Sequence, residues 1–256
     1  MNSLDELAAR QLRDYDNRNP GSMFREEVNL SLRQAYDLQD SVASLRRERG
    51  EHHIGYKVGC TSLAIRTQLG IGHSVAGYLW ESEKFDTGRS LRLTDFVNPA
   101  VEGELAVELV NELCGSALSP SEIEAAIGSV FPVIELHNAI FCGKQSSAEE
   151  LVANNALHAG FVTGGTRSEY RPLKSAQLSI RIEGTVVDVY QGPDLTNGII
   201  RSLRWLAGHL AHFHRTLRAG DIILTGSLPR LIPVTKEAQI HVETSHFGDV
   251  SAQFVS

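Results

Sequence analysis

Glutamates spaced to lie side by side are the first chemistry this sequence offers. In VEGELAVEL, residues 101–109, alternation is strict: Val101, Leu105, Val107 and Leu109 fall on one face of a strand, Glu102, Glu104 and Glu108 on the other. Glu102 and Glu104 are thereby neighbours, roughly 7 Å apart at their Cα atoms. A second stretch, VFPVIELHN at 130–138, sets Glu135 inside an apolar run that reads as a buried strand. An ionised carboxylate there must find a cation or take up a proton. If the two strands are neighbours, three carboxylates converge. Few protein ligands, all oxygen, suit Mg²⁺ or Mn²⁺, whereas zinc more often recruits His or Cys. His137 shares the face of Glu135 and reads as a supporting or structural residue. Taken singly, Glu102 and Glu104 also fit a half-exposed strand with its acids in water, and Glu135 fits a buried pair with an Arg or Lys.

Lys57 is the matching oddity. It sits in HIGYKVGCTS, where Ile54, Tyr56 and Val58 indicate a largely buried strand flanked by Gly55 and Gly59. A buried ammonium could face an anionic substrate or donate a proton; its stem could instead carry the charge out to solvent.

The elements that must hold these groups are short. Residues 3–17 and 25–48 carry apolar residues at helical spacing, separated by NPGS at 19–22. From residue 53 come β-type runs: HIGYKVG, GYLW, VEGELAVEL, VFPVIEL, AGFVTGG, AQLSIRIEGTVVDVYQG with a turn at Glu183 and Gly184, DIILTGS and QIHVETSHFGDVSAQFV. Helices interrupt them at about 119–127, opened by SPSE, and at about 198–213. Strands outnumber helices without alternating regularly, so the expectation is an α+β fold with a largely β core. No G-x-G-x-x-G or G-x-x-x-x-G-K-[ST] loop occurs.

At 256 residues, 42% of them hydrophobic, the chain can bury a large core. A net charge of -7 gives no purchase on a phosphate backbone or an anionic membrane, and no stretch approaches a membrane span. Neither nucleic acid nor a membrane is an expected partner. Cys60, Cys114 and Cys142 are odd in number and lack paired spacing, which fits a reducing cytoplasm. The polar, acidic N-terminus gives no targeting signal.

Taken in order, GYKVGCTS, GYLWE, VEGEL, PVIEL, NNALHAGFVTGG and LRAGDIILTGS resemble the 2-keto-4-pentenoate hydratase family. That family includes 2-oxohept-3-ene-1,7-dioate hydratase and 4-oxalocrotonate decarboxylase, within the fumarylacetoacetate hydrolase superfamily. The resemblance runs from about residue 25 to the C-terminus. It implies a helical section over 1–50 and a fumarylacetoacetate-hydrolase-like catalytic domain over 51–256. It implies Mg²⁺ or Mn²⁺ held by Glu102, Glu104 and Glu135, with Lys57 as the active-site lysine. Glu81 matches an acid that assists proton transfer or activates water, and Gly226 and Ser227 match a turn that shapes the substrate pocket.

The chain also departs from the family pattern. Asn154 and Asn155 replace the usual Asp-Asn, Leu157 and His158 replace small polar residues or Ala, and Arg201 falls near a usual Asn. Leu157 and His158 are therefore candidate substrate contacts, and His158 is alternatively a packing residue or an added acid or base. Arg230 in SLPRLIPV could meet the distal carboxylate of a diacid, or lie at the surface. The implied reaction adds water to a 2-hydroxy-2,4-dienoate to give a 4-hydroxy-2-oxo acid. Alternatives are decarboxylation of a 4-oxalocrotonate-type 2-keto diacid, acylpyruvate C–C hydrolysis using Glu51, His52 and His53, and a non-catalytic partner role. The expected substrate is a small 2-keto or 2-hydroxydienoic acid, and the expected assembly a homo-oligomer able to associate with a related enzyme.

Overall fold

Two serines start the N-terminal helices. Ser3 exchanges hydrogen bonds with Glu6 ahead of α1 (Leu4–Asp16), and Ser31 does so with Gln34 ahead of α2 (Leu32–Glu48). The second helix begins later than the spacing from Val28 predicts, because the cap rather than the apolar pattern sets its start. Arg46 ties α2 to the rest of the chain. Its buried guanidinium lies 4.4 Å from the Trp80 ring centroid, with Nη2 on Glu83 Oε1 at 2.6 Å and Nε on Glu51 Oε2 at 2.9 Å. The Tyr15 hydroxyl donates to the same Glu83 oxygen at 2.7 Å, so α1 joins this network.

The computed structural model describes residues 3–19, 21–26, 28–141, 146–228 and 230–256; Cys142 lies outside them. After α2 come β1 (His53–Gly59), α3 (Leu63–Leu69), β2 (Val75–Trp80), β3 (Lys84–Asp86), β4 (Arg89–Arg92), β5 (Pro99–Leu109) and α4 (Pro120–Ala126). Then follow β6 (Ile127–Asn138), α5 (Ala148–Ala153), β7 (His158–Thr163), β8 (Gln177–Ile182), β9 (Thr185–Gln191) and α6 (Asp194–Ala211). The chain ends with β10 (Ile222–Leu224), β11 (Ile232–Pro233), β12 (Ala238–Thr244) and β13 (Gly248–Val255). Helix α6 starts at Asp194, directly after Pro193, a turn earlier than its apolar spacing predicts. The β8–β9 hairpin turns at Glu183 and Gly184, both at positive φ, as a tight two-residue turn requires.

Among the described residues the strands form two sheets. One runs β2-β1-β10-β5-β6-β7-β3 with β11 beside β5, the other β4-β13-β12-β8-β9. The first is rolled, because β2 packs against β7 although five strand spacings, roughly 24 Å in a flat sheet, separate them. Inside the roll Leu79, Ala106, Phe131, Val133, Phe161 and Leu224 form a small core of their own. The larger core fills the space between its outer face, the second sheet and the helices. Gly103 permits that contact: a Cβ there would stand 2.9 Å from Val242 Cγ2 and 3.0 Å from Ile180 Cγ1.

On α6, His209 stacks on Trp205 with centroids 5.0 Å apart and meets Tyr36 of α2 at 4.6 Å. Burial, with help from His73 and His212, lowers its pKa to about 4. The unfolded chain therefore takes up this proton first. The corresponding stability is complete above the usual His pKa near 6.5 and is lost as pH falls toward 4. His209→Phe, which keeps a ring in the stack, should recover on the order of 1–2 kcal/mol of the stability lost on acidification from pH 7 to 4.5. Urea unfolding at both pH values measures it, and equal acid losses in the two proteins would refute the assignment.

Candidate active site

The inner face of the rolled sheet gathers the carboxylates. β5 and β6 are antiparallel with Glu102 opposite Glu135, so side chains at these positions and at Glu104 point the same way. Glu104 and Glu135 are each 1% exposed, so neither acid stands in water, while Glu102 is half-buried. Lys57 reaches the same place from β1: Lys57 pairs with Leu224, and Leu224 with Ala106, two residues beyond Glu104. Its ammonium is 2.9 Å from Glu135 Oε1 and donates to the Ala156 carbonyl at 3.2 Å. Lys57 is 2% exposed, so its charge does not reach solvent. Gly77, opposite Lys57, leaves the room this requires; a Cβ would lie 3.1 Å from Lys57 Cγ and 2.7 Å from the Asn155 carbonyl oxygen.

Two histidines complete the cluster. His137 Nε2 lies 3.3 Å from Glu102 Oε2 and 3.4 Å from Glu135 Oε2, and His158 Nδ1 donates to Glu135 Oε1 at 2.7 Å. Glu104 is held differently. Its Oε2 accepts from the Gly226 amide, while Oε1 is buried without a hydrogen-bond partner.

The electrostatics follow from this crowding. Burial alone would raise Glu135, but Lys57, then His137 and His158, hold its carboxyl well below the usual range. Burial and the nearby Glu135 push Glu104 well above it. Burial works against a charge on Lys57 and is outweighed by Glu135 and Glu102, which raise its pKa. His137 likewise resists burial because of Glu135, and its pKa rises to about 9.

The turn that delivers His158 is strained. Asn155, Ala156 and Leu157 have φ of 53°, 51° and 60°, three consecutive left-handed residues other than glycine. Asn155 clamps it: its side chain accepts from the Tyr78 amide at 2.7 Å and donates to the Tyr78 carbonyl at 2.9 Å. Asn155→Ala should cost about 2 kcal/mol in unfolding free energy. It should also lower kcat at least fivefold by loosening the Ala156 carbonyl and His158. Denaturant unfolding and steady-state rates measure both effects, and an unchanged kcat would refute the link from clamp to site.

The structure thus brings together Lys57, Glu102, Glu104, Glu135 and, through its amide, Gly226. Ser227 lies next along, its hydroxyl donating to the Gly103 carbonyl at 3.0 Å. Glu81 and Arg230 stand apart from this cluster. Glu81 is exposed and four residues, roughly 13 Å of strand, beyond Gly77. Glu83 turns inward instead, to Arg46 and Tyr15. Arg230 sits on the outer surface, its guanidinium 3.6 Å from Asp188. His158 supports Glu135, and Leu157 is half-buried in the strained turn. The Glu51, His52, His53 set also stays outside. Glu51 pairs with Arg46 and Arg49, and a bulge in β1 turns His53 toward Tyr56 and Tyr78.

His137 is the residue the sequence reading undervalued. Donor atoms of Glu102, Glu135 and His137 lie within 4.8 Å of one another. The orphaned, buried Glu104 Oε1 and His137 Nε2 are what such a set leaves when a cation is to be held, so these residues fit a divalent metal. A cavity of about 360 Å³ opens beside them, lined by Glu104, Gly226, Thr61, Arg66, Arg201 and Trp205 among others.

The chain is similar to a 2-keto-4-pentenoate hydratase of Paraburkholderia phymatum, 28% identical over 99% of this chain and 98% of that one. It is similar to a 4-oxalocrotonate decarboxylase of Pseudomonas putida, 27% identical over 98% of this chain and 92% of that one. The solved 4-oxalocrotonate decarboxylase from Pseudomonas putida G7, complexed with magnesium and adipate, superposes with a TM-score of 0.93 at 25% identity, covering 98% of this chain and 97% of that one. Residues 78–255 match the fumarylacetoacetate (FAA) hydrolase C-terminal family, and the chain belongs to that family.

Proposed function

We propose that the protein is a divalent-metal-dependent hydratase that adds water to a 2-hydroxy-2,4-dienoate of the 2-keto-4-pentenoate type, giving a 4-hydroxy-2-oxo acid. The observation that carries this reading is the buried Lys57–Glu135 pair set against Glu102 and Glu104 beside a cavity. A dication, Mg²⁺ or Mn²⁺, would be held by Glu102, Glu104 and Glu135, with His137 adjacent. It would supply a Lewis acid for the carboxylate and keto oxygen of a 2-oxo acid.

The chain's own groups do the rest. Lys57, kept charged by its carboxylate neighbours, stabilises negative charge developing on the substrate oxygen. Glu104 lines the cavity and is fixed there by the Gly226 amide. Leu105, Leu195 and Trp205 give the same cavity an apolar wall against which a dienoate can lie. Arg66 is fixed there by the Cys60 and Thr61 carbonyls.

Decarboxylation of a 4-oxalocrotonate-type diacid is the second reading. It is favoured by Arg66 and Arg201 on the cavity wall, where a second carboxylate would find a cation. Acylpyruvate hydrolysis lacks its base, since Glu51 and His53 face away from the cluster. No helix among the described residues is long and apolar enough to cross a membrane. The same proposal has the protein acting as a homo-oligomer in a reducing cytoplasm, with Cys60 and Cys114 as free thiols.

The deciding experiment mixes freshly generated 2-hydroxypenta-2,4-dienoate with the protein and follows its ultraviolet absorbance, with Mg²⁺ or Mn²⁺ and then with a chelator. Metal-dependent loss of the dienol chromophore with 4-hydroxy-2-oxopentanoate as product is expected. CO₂ release from 2-oxohex-3-enedioate without dienol hydration would transfer the assignment to the decarboxylase.

A further inference from the structure

His137 has a geometry that a merely structural histidine does not need. It is 7% exposed, its Nε2 is fully buried, and that nitrogen points between Glu102 and Glu135 without forming a hydrogen bond to either. Its separations from the two carboxylate oxygens, 3.3 and 3.4 Å, match the spacing of donors sharing one small dication. With metal bonds of about 2.1 Å, neighbouring donors stand about 3.0 Å apart in an octahedron and about 3.4 Å apart in a tetrahedron. The third donor pair is already set by the sheet register that places Glu102 opposite Glu135.

We propose that His137 Nε2 is a direct ligand of the bound dication beside Glu102 and Glu135, and that this nitrogen shifts the centre's preference from Mg²⁺ toward Mn²⁺ and the later first-row dications. The inference rests on the metal-dependent reading above and goes beyond it, because an all-carboxylate site would carry no nitrogen. Imidazole is a poor partner for Mg²⁺, which prefers oxygen, and a better one for transition ions, whose affinity for nitrogen rises along the series. His158 stands outside this set: its Nδ1 is on Glu135, and the donor atoms that gather within 4.8 Å are those of Glu102, Glu135 and His137.

The test uses the full-length protein loaded with Mn²⁺ and reads electron spin echo envelope modulation. Modulation from an imidazole ¹⁴N is expected in the unaltered protein and in His158→Gln, and its loss in His137→Gln. In the same variant, Mn²⁺ affinity, followed by the signal of free Mn²⁺, should weaken at least tenfold, while Mg²⁺ affinity by competition changes less than threefold. Bound Mn²⁺ without nitrogen modulation, or modulation that survives His137→Gln, would overturn the ligand assignment and leave the metal-dependent function standing. Failure of the unaltered protein to bind either ion would overturn that function as well. The echo on unaltered protein decides the central point even if the variant folds poorly.

Discussion

Lys57→Met should lower kcat by two to four orders of magnitude and destabilise the metal-free protein by about 3–5 kcal/mol. Methionine fills the trough beside Gly77 but removes the cation 2.9 Å from Glu135, so buried carboxylates then face one another with His137 as the nearest positive charge. In a chain of this size such a loss corresponds to a fall of roughly 10 °C in Tm. Added Mn²⁺ should raise Tm more in the variant than in the unaltered protein, because a dication replaces the missing charge where it is most needed. Thermal melts in chelator and in Mn²⁺ measure both effects. Equal melting of the two proteins in chelator would show that Lys57 does not neutralise the cluster.

The parts of this site that could be read from the sequence are those a single strand determines. Period-two alternation places Glu102 and Glu104 on one face, and an acid inside an apolar run marks Glu135 as needing a partner. Neither pattern contains the pairing register, and the Glu102–Glu135 juxtaposition depends on β5 and β6 lying side by side. Lys57 was legible for the same reason as Glu135, whereas its distance from Glu135 depends on the sheet rolling up.

The misplaced residues lie where periodicity stops. Glu81 and Glu83 follow β2 in a short 3₁₀ turn, which breaks the alternation and sends the second acid inward to Arg46. A bulge between Leu136 and His137 disturbs β6 against β7 just where His137 and His158 meet. Arg230 follows the TGS turn in sequence but docks on β9 through Asp188, a contact between segments far apart in the chain. Helix starts erred for a local reason: Ser31 and Pro193 fix them more firmly than the apolar spacing does.

Glu135→Gln should weaken dication binding at least a hundredfold, the largest effect expected of any single ligand in the cluster, because Glu135 alone touches Lys57, His137 and His158. The charges explain why. Without metal, positive Lys57 and His137 face the carboxylates. An entering dication must displace the proton of His137, so binding should release protons at neutral pH. Calorimetry in buffers of different ionisation enthalpy counts them, and binding with no proton release would contradict the assigned protonation states. Glutamine at position 135 removes the negative charge but leaves the buried Lys57 ammonium, so the apo variant should also be less stable. The double variant Lys57→Met/Glu135→Gln discards both charges at once and should unfold at a higher temperature than Lys57→Met alone, although neither binds or turns over normally. Additive destabilisation in that cycle would mean that the two groups do not interact energetically, despite standing 2.9 Å apart.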